Sequence, residues 1–265
     1  MLKILSSTVS CDSAMKVRDA IEKILGLKSK TILVSKDSGA CRGHAVIMRY
    51  GCGYGNLQEE PSWNSRDFIN LCISKLDFSQ RFRGFANVPT FNREIPTEFP
   101  VMIRETLTGA KSQGCHVVHT LDEFQRIWEP TFYWTKFFSD KEFEIRVLMV
   151  LHDKGFELRI YKKVPVDGKE NSEDFIVEGD NTMWKLRKPS HYPKVIEIAK
   201  KMAKTIWTSG GRFVGIDMIY VPSLKDYVVL EFNSGPWLTK GAAEWLASIF
   251  VNTDEWKKNF AGKEK

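Results

Sequence analysis

Residues 212–233 read RFVGIDMIYVPSLKDYVVLEFN. Two runs of β-branched and aromatic residues flank Pro222–Asp226, which predicts a β-hairpin. With that loop the pairing is symmetric about Leu224: Val221 faces Tyr227, Ile219 faces Val229, and Asp217 faces Glu231. Alternation puts Ile216, Met218 and Tyr220 on one face with Val228, Leu230 and Phe232. That face is apolar and is expected in the core. Asp217, Glu231 and Asn233 fall on the other face, and Gly215 opposite Asn233 leaves open space. Two carboxylates directly across a ladder repel, at a cost of up to about 1 kcal/mol. A hard cation reverses the sign, and three oxygen ligands on one strand face suit Mg²⁺. The same residues also fit a solvated polar face with an accidental acidic pair, and a one-residue slip would scatter them.

Upstream, Pro193–Ser209 has the periodicity of an amphipathic helix stopped by Gly210-Gly211. Phe132–Val164 reads as consecutive strands with a turn at 152–155. Glu144 and Arg146, two apart, share a strand face, which is also the pattern of an ordinary salt-bridged sheet edge. Lys136 sits among aromatics in WTKFF (134–138). Residues 105–114, ETLTGAKSQG, join two strands, Glu98–Arg104 and His116–His119. Such a loop can present backbone N–H groups to phosphate oxygens, with Lys111 adding charge, and it equally fits a plain surface loop. It is neither GxxxxGK[ST] nor GxGxxG. Arg104 ends a buried strand and must find an anion or water. Leu121–Trp128 is a short helix capped by Thr120, Val88–Phe91 a strand, and Asn64–Gly84 a helix capped by Asn64 or Ser65. Ser13–Leu27 is helical, Thr31–Val34 and Ala45–Tyr50 are short strands, and Gly51–Gly55 is a turn. A final helix follows Pro236. Helices alternating with strands, then an antiparallel block, give an α/β class with α+β parts.

The chain has 265 residues, 39 Lys+Arg against 33 Asp+Glu, and a formal charge of +6. With 43% hydrophobic and 27% charged residues it is a folded globular chain, not a disordered, collagen-like or disulfide-scaffold one. No apolar run is long enough to span a bilayer, and the first twenty residues carry no secretory signal pattern. Five scattered cysteines (11, 41, 52, 72, 115) fit reduced thiols in the cytoplasm. Cys41, His44 and Cys52 lack the CxxC pairs of a zinc site. Basic clusters at 185–188 and 200–204 read as a solvated loop and helix face, so nucleic acid is not the expected partner.

The order of these features resembles the ATP-grasp family over nearly the whole chain. The matching stretches are Lys75 with its helix, Val88-Pro-Thr90, FPVMIR (99–104), the loop to Gly114 and the hinge 134–138. They continue through EIRV (144–147), GID (215–217) and VLEFNSGP (229–236). The aspartate followed by Glu-x-Asn before a small-residue turn is the strongest part. Compact phage and bacterial ligases, such as ribosomal-protein glutamate ligases, look most similar. The resemblance implies a small N-terminal α/β domain (1–70), then two α+β subdomains, 71–130 with the lid loop and 131–265 with the metal site, which sandwich the nucleotide. It implies that Lys75 and Arg104 reach the ATP phosphates, that Thr108, Gly109, Lys111, Ser112 and Gly114 belong to the lid, and that Lys136 and Phe137 line the adenine pocket. It further implies that Arg146 neutralises the reacting acyl phosphate, and that Asp217, Glu231 and Asn233 hold one or two Mg²⁺, with Mn²⁺ as a substitute. Arg104 stands where lysine is usual, and Lys136 where many members are acidic. The implied activity is ATP-dependent ligation of a small-molecule or peptide carboxylate to an amine. A kinase acting on a hydroxyl and a non-catalytic nucleotide-binding protein are the alternatives.

Overall fold

The computed structural model describes residues 2–6, 11–29, 31–35, 46–50, 62–108, 114–165, 182–254 and 256–257. Cys41, His44, Cys52 and the turn at 51–55 lie outside these residues, as do Gly109, Lys111 and Ser112. Strands β1 (Leu2–Ser6), β2 (Leu33–Ser35), β3 (Val46–Tyr50) and β4 (Ser62–Trp63) form a parallel sheet in the order β2-β1-β3-β4. Every residue of β1 is buried, as a parallel strand covered on both faces requires. Helices α1 (Asp12–Leu25) and α6 (Lys240–Phe250) pack together over this sheet, and Phe250 meets Trp63 edge-to-face at 4.4 Å. The last helix therefore completes the first core.

Helices α2 (Arg66–Ile73) and α3 (Lys75–Phe82) stand where one helix is expected. Ser74 divides them: its backbone is extended and its hydroxyl accepts the Asp77 N–H, as Ser65 does for Phe68 one helix earlier. A serine that can cap competes with the helix interior and wins here. The break puts Lys75 at the first position of α3. Residues 88–91 form no strand, because Pro89 lacks a donor; isolated bridges at Asn87–Val228 and Asn92–Trp134 flank them instead.

Strands β5 (Val101–Arg104), β6 (Cys115–Val118) and β7 (Tyr133–Lys136) make a small antiparallel sheet, order β6-β5-β7. Helix α4 (Leu121–Ile127), capped by Thr120 as expected, covers it through Phe124. The largest sheet is antiparallel, in the order β10-β9-β8-β11-β12: β8 (Phe143–His152), β9 (Gly155–Pro165), β10 (Thr182–Arg187), β11 (Phe213–Val221) and β12 (Asp226–Asn233). Helices α2, α3 and α5 (Pro193–Thr208) bury one face of it, with Ile145, Val147, Met149, Val214, Ile216, Met218 and Phe232 beneath them. The other face carries the polar row described next. No helix among the described residues is long and apolar enough to cross a membrane.

Candidate active site

The hairpin reaches the expected site register by an unexpected route. The connection is a 3₁₀ turn at Pro222–Leu224 with Lys225 at φ 50°, so Val221 pairs with Asp226, Ile219 with Val228 and Met218 with Val229. A β-bulge between Asp217 and Met218 then leaves Leu230 without a partner. Beyond it, Asp217 faces Glu231 and Gly215 faces Asn233, as read from the sequence. The alternation changes accordingly. Tyr227 and Val229 join the helix-covered core, while Val228 packs with Ile219 and Val221 on the opposite side, against Leu230 and Phe138. The space opposite Asn233 is not open either: a Cβ on Gly215 would lie 2.8 Å from Cβ of Pro236. The chain after Asn233 folds back onto that glycine.

Strand β8 lies next to β11, between it and β9, so Glu144 and Arg146 are interior to the sheet rather than at its edge. Arg146 pairs in register with Asp217, giving a row Arg146–Asp217–Glu231 across three strands. Arg146 Nε and Nη2 donate to Asp217 Oδ1 and Oδ2 at 2.6 and 2.8 Å. Its guanidinium also lies 4.6 Å from the ring centroid of Trp184 on β10. Lys75 Nζ reaches Glu231 Oε2 at 2.9 Å. Asn233 Nδ2 donates to Asp217 Oδ2 at 2.8 Å and to Glu231 Oε1 at 3.4 Å. The acidic pair is thus countered by two cations of the chain itself. Burial pushes the Asp217 carboxyl above its ordinary value, with Arg146 pulling it back. Glu144 accepts from Lys141 at 3.0 Å and Lys163 at 2.9 Å. Burial acts to raise its carboxyl too, but the two ammonium groups outweigh burial and hold it below the usual range.

A cavity of about 240 Å³ lies between the small sheet and this polar row. Lys75, Arg104, Lys136, Phe137, Arg146, Asp217 and Glu231 all line it. Asn233 does not line it, but donates to both carboxylates that do. Arg104 donates to Cys115 Sγ at 3.2 Å, and its buried Nε has no partner among the described residues. A buried, unpaired guanidinium N–H is costly unless an anion arrives. Lys136 is exposed, 3.9 Å from Glu98. Thr108 is exposed at the root of the loop, where its N–H bonds to Thr106 Oγ1. Gly114 closes the other root at φ 63°, its carbonyl accepting the Glu105 N–H. The N–H of Lys75 donates to Leu107 O at 3.2 Å, so the root of the loop is docked on the start of α3.

Lys141, Lys163 and Trp184 also line the cavity and were not singled out in the sequence. The Lys141–Glu144 spacing of three was a weak signal. Lys163 and Trp184 gave none, because their approach depends on strand pairing between β8, β9 and β10.

No protein-family profile matches the chain, and no curated protein sequence does. Solved structures do match. D-alanyl-alanine synthetase A from Vibrio cholerae superposes with a TM-score of 0.62, covering 100% of this chain and 93% of that one at 12% identity. D-alanine–D-alanine ligase from Bacillus anthracis in complex with ATP gives 0.60, with 97% and 92% coverage at 14% identity. VanG D-Ala:D-Ser ligase from Enterococcus faecalis gives 0.59, with 93% and 97% coverage at 14% identity. The chain has the ATP-grasp fold. Residues of the small sheet, Met102 and Arg104, and of the polar row, Arg146, Asp217 and Glu231, line the same cavity.

Proposed function

We propose that the protein is an ATP- and Mg²⁺-dependent ligase that joins a carboxylate to an amine through an acyl phosphate. The observation that carries this reading is the cleft itself, in which Lys75, Arg104 and Arg146 converge above Asp217 and Glu231 between two sheets. Likeness to solved ligases, one of them in complex with ATP, supports it. Arg104 Nε, buried and unpaired, fits a phosphate oxygen, and arginine can grip one bidentately. Two carboxylates and an amide oxygen are the donor chemistry that Mg²⁺ takes, so Asp217, Glu231 and Asn233 would hold it. When bound, the ion supplies neutralisation of the phosphate charge.

In this reading a substrate carboxylate oxygen attacks the γ-phosphorus and ADP leaves. Lys75 and Arg104 hold the phosphates in line. Arg146, locked by Asp217 and Trp184, stabilises charge on the acyl phosphate and on the tetrahedral species formed by the amine. The amide forms as phosphate departs, and the amine proton passes to phosphate or water. Lys136, Phe137, Leu230 and Met102 would receive the adenine, and the loop through Thr108, Gly109, Lys111, Ser112 and Gly114 would close over the phosphates. Residues 1–70 would shape the substrate end, 71–130 would carry the lid, and 131–265 would hold the reacting groups. Cys11 and Cys72 are free thiols, which fits the cytoplasm.

The test is incubation with ATP, Mg²⁺, pooled carboxylates and hydroxylamine. Carboxylate-dependent ADP release with hydroxamate is expected. A phosphorylated hydroxyl without hydroxamate would make the protein a kinase. Nucleotide binding without turnover would make it a recognition module.

A further inference from the structure

On the small sheet Lys136 pairs with Val101, and Tyr133 with Arg104. Lys136 therefore stands three residues along the ladder from the phosphate-binding arginine, about 10 Å away. Met102, Phe137, Phe138, Ile219 and Leu230 give the cavity an apolar slot. Such walls hold a flat base without telling one base from another, which falls to polar groups at the edge. The hinge backbone is already engaged: Phe137 N–H donates to Pro100 O at 3.2 Å, and Phe138 O accepts the Lys141 N–H at 3.4 Å. Thr135 is a buried hydroxyl, able to donate or accept. Lys136 carries the charge at this mouth, and its ammonium has three donors and no acceptor. Two carboxylates stand near it without lining the cavity. Glu98 is 3.9 Å away, beyond hydrogen-bond distance, with its side chain 83% exposed. Asp140 accepts the Ser223 N–H at 2.9 Å.

We propose that Lys136 makes the nucleotide site prefer a 6-oxopurine, guanine or hypoxanthine, over adenine. The inference rests on the nucleotide reading above. A 6-oxopurine presents two acceptors side by side, O6 and N7, whereas adenine presents N7 beside an N6 amino donor. A donor-only ammonium satisfies both acceptors of the first. Against the second it meets one acceptor and one donor, and the donor gains nothing from it. The adenine amino group needs an acceptor instead. Among the described residues, Glu144 is the one lining carboxylate outside the Asp217–Glu231 pair, and it already accepts from Lys141 and Lys163. ATP shares the phosphate grip of Lys75 and Arg104 and binds in the same cleft with lower affinity. Lys136 acts here as a specificity-determining residue that leaves the phosphate chemistry unchanged.

The test is calorimetric titration of the whole chain, in Mg²⁺, with non-hydrolysable analogues of GTP, ITP and ATP. The proteins are wild type, Lys136→Met and Lys136→Glu, each checked for folding by circular dichroism. The readout is the ratio of affinities between bases, which a general loss of charge or of structure does not move. In the wild type the GTP analogue is expected to bind about five- to tenfold more tightly than the ATP analogue. That is the low end for a base-edge contact, because the Lys136 side chain is 64% exposed. The ITP analogue, which lacks the 2-amino group, should match the GTP analogue within about twofold, since the contact reads O6 and N7. Lys136→Met should bring the GTP and ATP analogues within about twofold of each other. Lys136→Glu supplies an acceptor for the adenine amino group and should reverse the order. An ATP analogue bound as tightly as the GTP analogue by the wild type, or a guanine preference that survives in Lys136→Met, overturns the base reading and leaves the nucleotide reading standing. No binding of any of the three by folded wild type overturns both.

Discussion

Replacing Arg146 by methionine removes the charge that neutralises Asp217 while keeping a side chain that packs under Trp184. Removing one partner of a buried pair costs about 3–5 kcal/mol. The two side chains here are 17% and 15% exposed, and Asp217 keeps the N–H of Asn233 at 2.8 Å. The low end applies, about 3 kcal/mol. At about 2–4 °C per kcal/mol for chains of this class, the midpoint of unfolding falls by about 6–12 °C. The loss depends on pH with a definite sign. Burial already raises the Asp217 carboxyl above its ordinary 3.8, and losing Arg146 raises it further. A carboxyl raised in the folded state weighs against folding above its folded pKa and is relieved as pH falls through it. The deficit is therefore largest at neutral pH and shrinks on acidification. Urea unfolding followed by circular dichroism, at pH 7.5 and pH 5, reads this directly, and adding Asp217→Asn should recover most of the loss. A deficit under about 1 kcal/mol, one unchanged by pH, or one not rescued by Asp217→Asn would show that Arg146 does not hold a buried Asp217 carboxylate in check.

Arg104→Met is expected to leave stability within about 1 kcal/mol, because among the described residues its Nε has no partner and the guanidinium has only the Cys115 contact. It should nevertheless weaken binding of a nucleotide analogue at least tenfold by calorimetry. Asn64 is 1% exposed at φ 63°; it accepts the N–H groups of Arg212 and Phe213 and donates to the carbonyls of Phe213 and Ser234. Asn64→Ala should cost about 3 kcal/mol, measured as a midpoint lower by about 6–12 °C. Glu144, held low by Lys141 and Lys163, contributes stability that is present above its ordinary 4.5 and lost as pH falls through its lowered folded pKa. Glu144→Gln should therefore be about 1–3 kcal/mol less stable at pH 7, and the gap should narrow as pH falls below the ordinary 4.5 in a pH series of urea melts.

The hairpin shows what a sequence can and cannot carry. Asp217, Glu231 and Asn233 were placed on one face from alternation alone, and they are there. The loop register was off by one, and a bulge at Leu230 compensated. Alternation cannot announce a bulge, because an extra residue in one strand is fixed by the twist and packing of its neighbours. The same holds for the split at Ser74. The capping chemistry was visible, but whether a serine caps or continues a helix is decided by what the helices pack against, here the core around Phe68, Phe78 and Phe232. Arg146 and Asp217 lie 71 residues apart, and nothing in the spacing announces that they pair. That pairing follows from β8 lying beside β11, a topological fact carried by no local pattern. Lys163 and Trp184 were illegible for the same reason.

In the proposed function this cleft binds a nucleoside triphosphate as its Mg²⁺ complex. Calorimetric titration of the folded chain with a non-hydrolysable ATP analogue and Mg²⁺ tests it most directly. Saturable one-to-one binding that weakens at least tenfold in Arg104→Met is expected. Absence of binding by the folded wild type, or binding indifferent to Arg104, would contradict it.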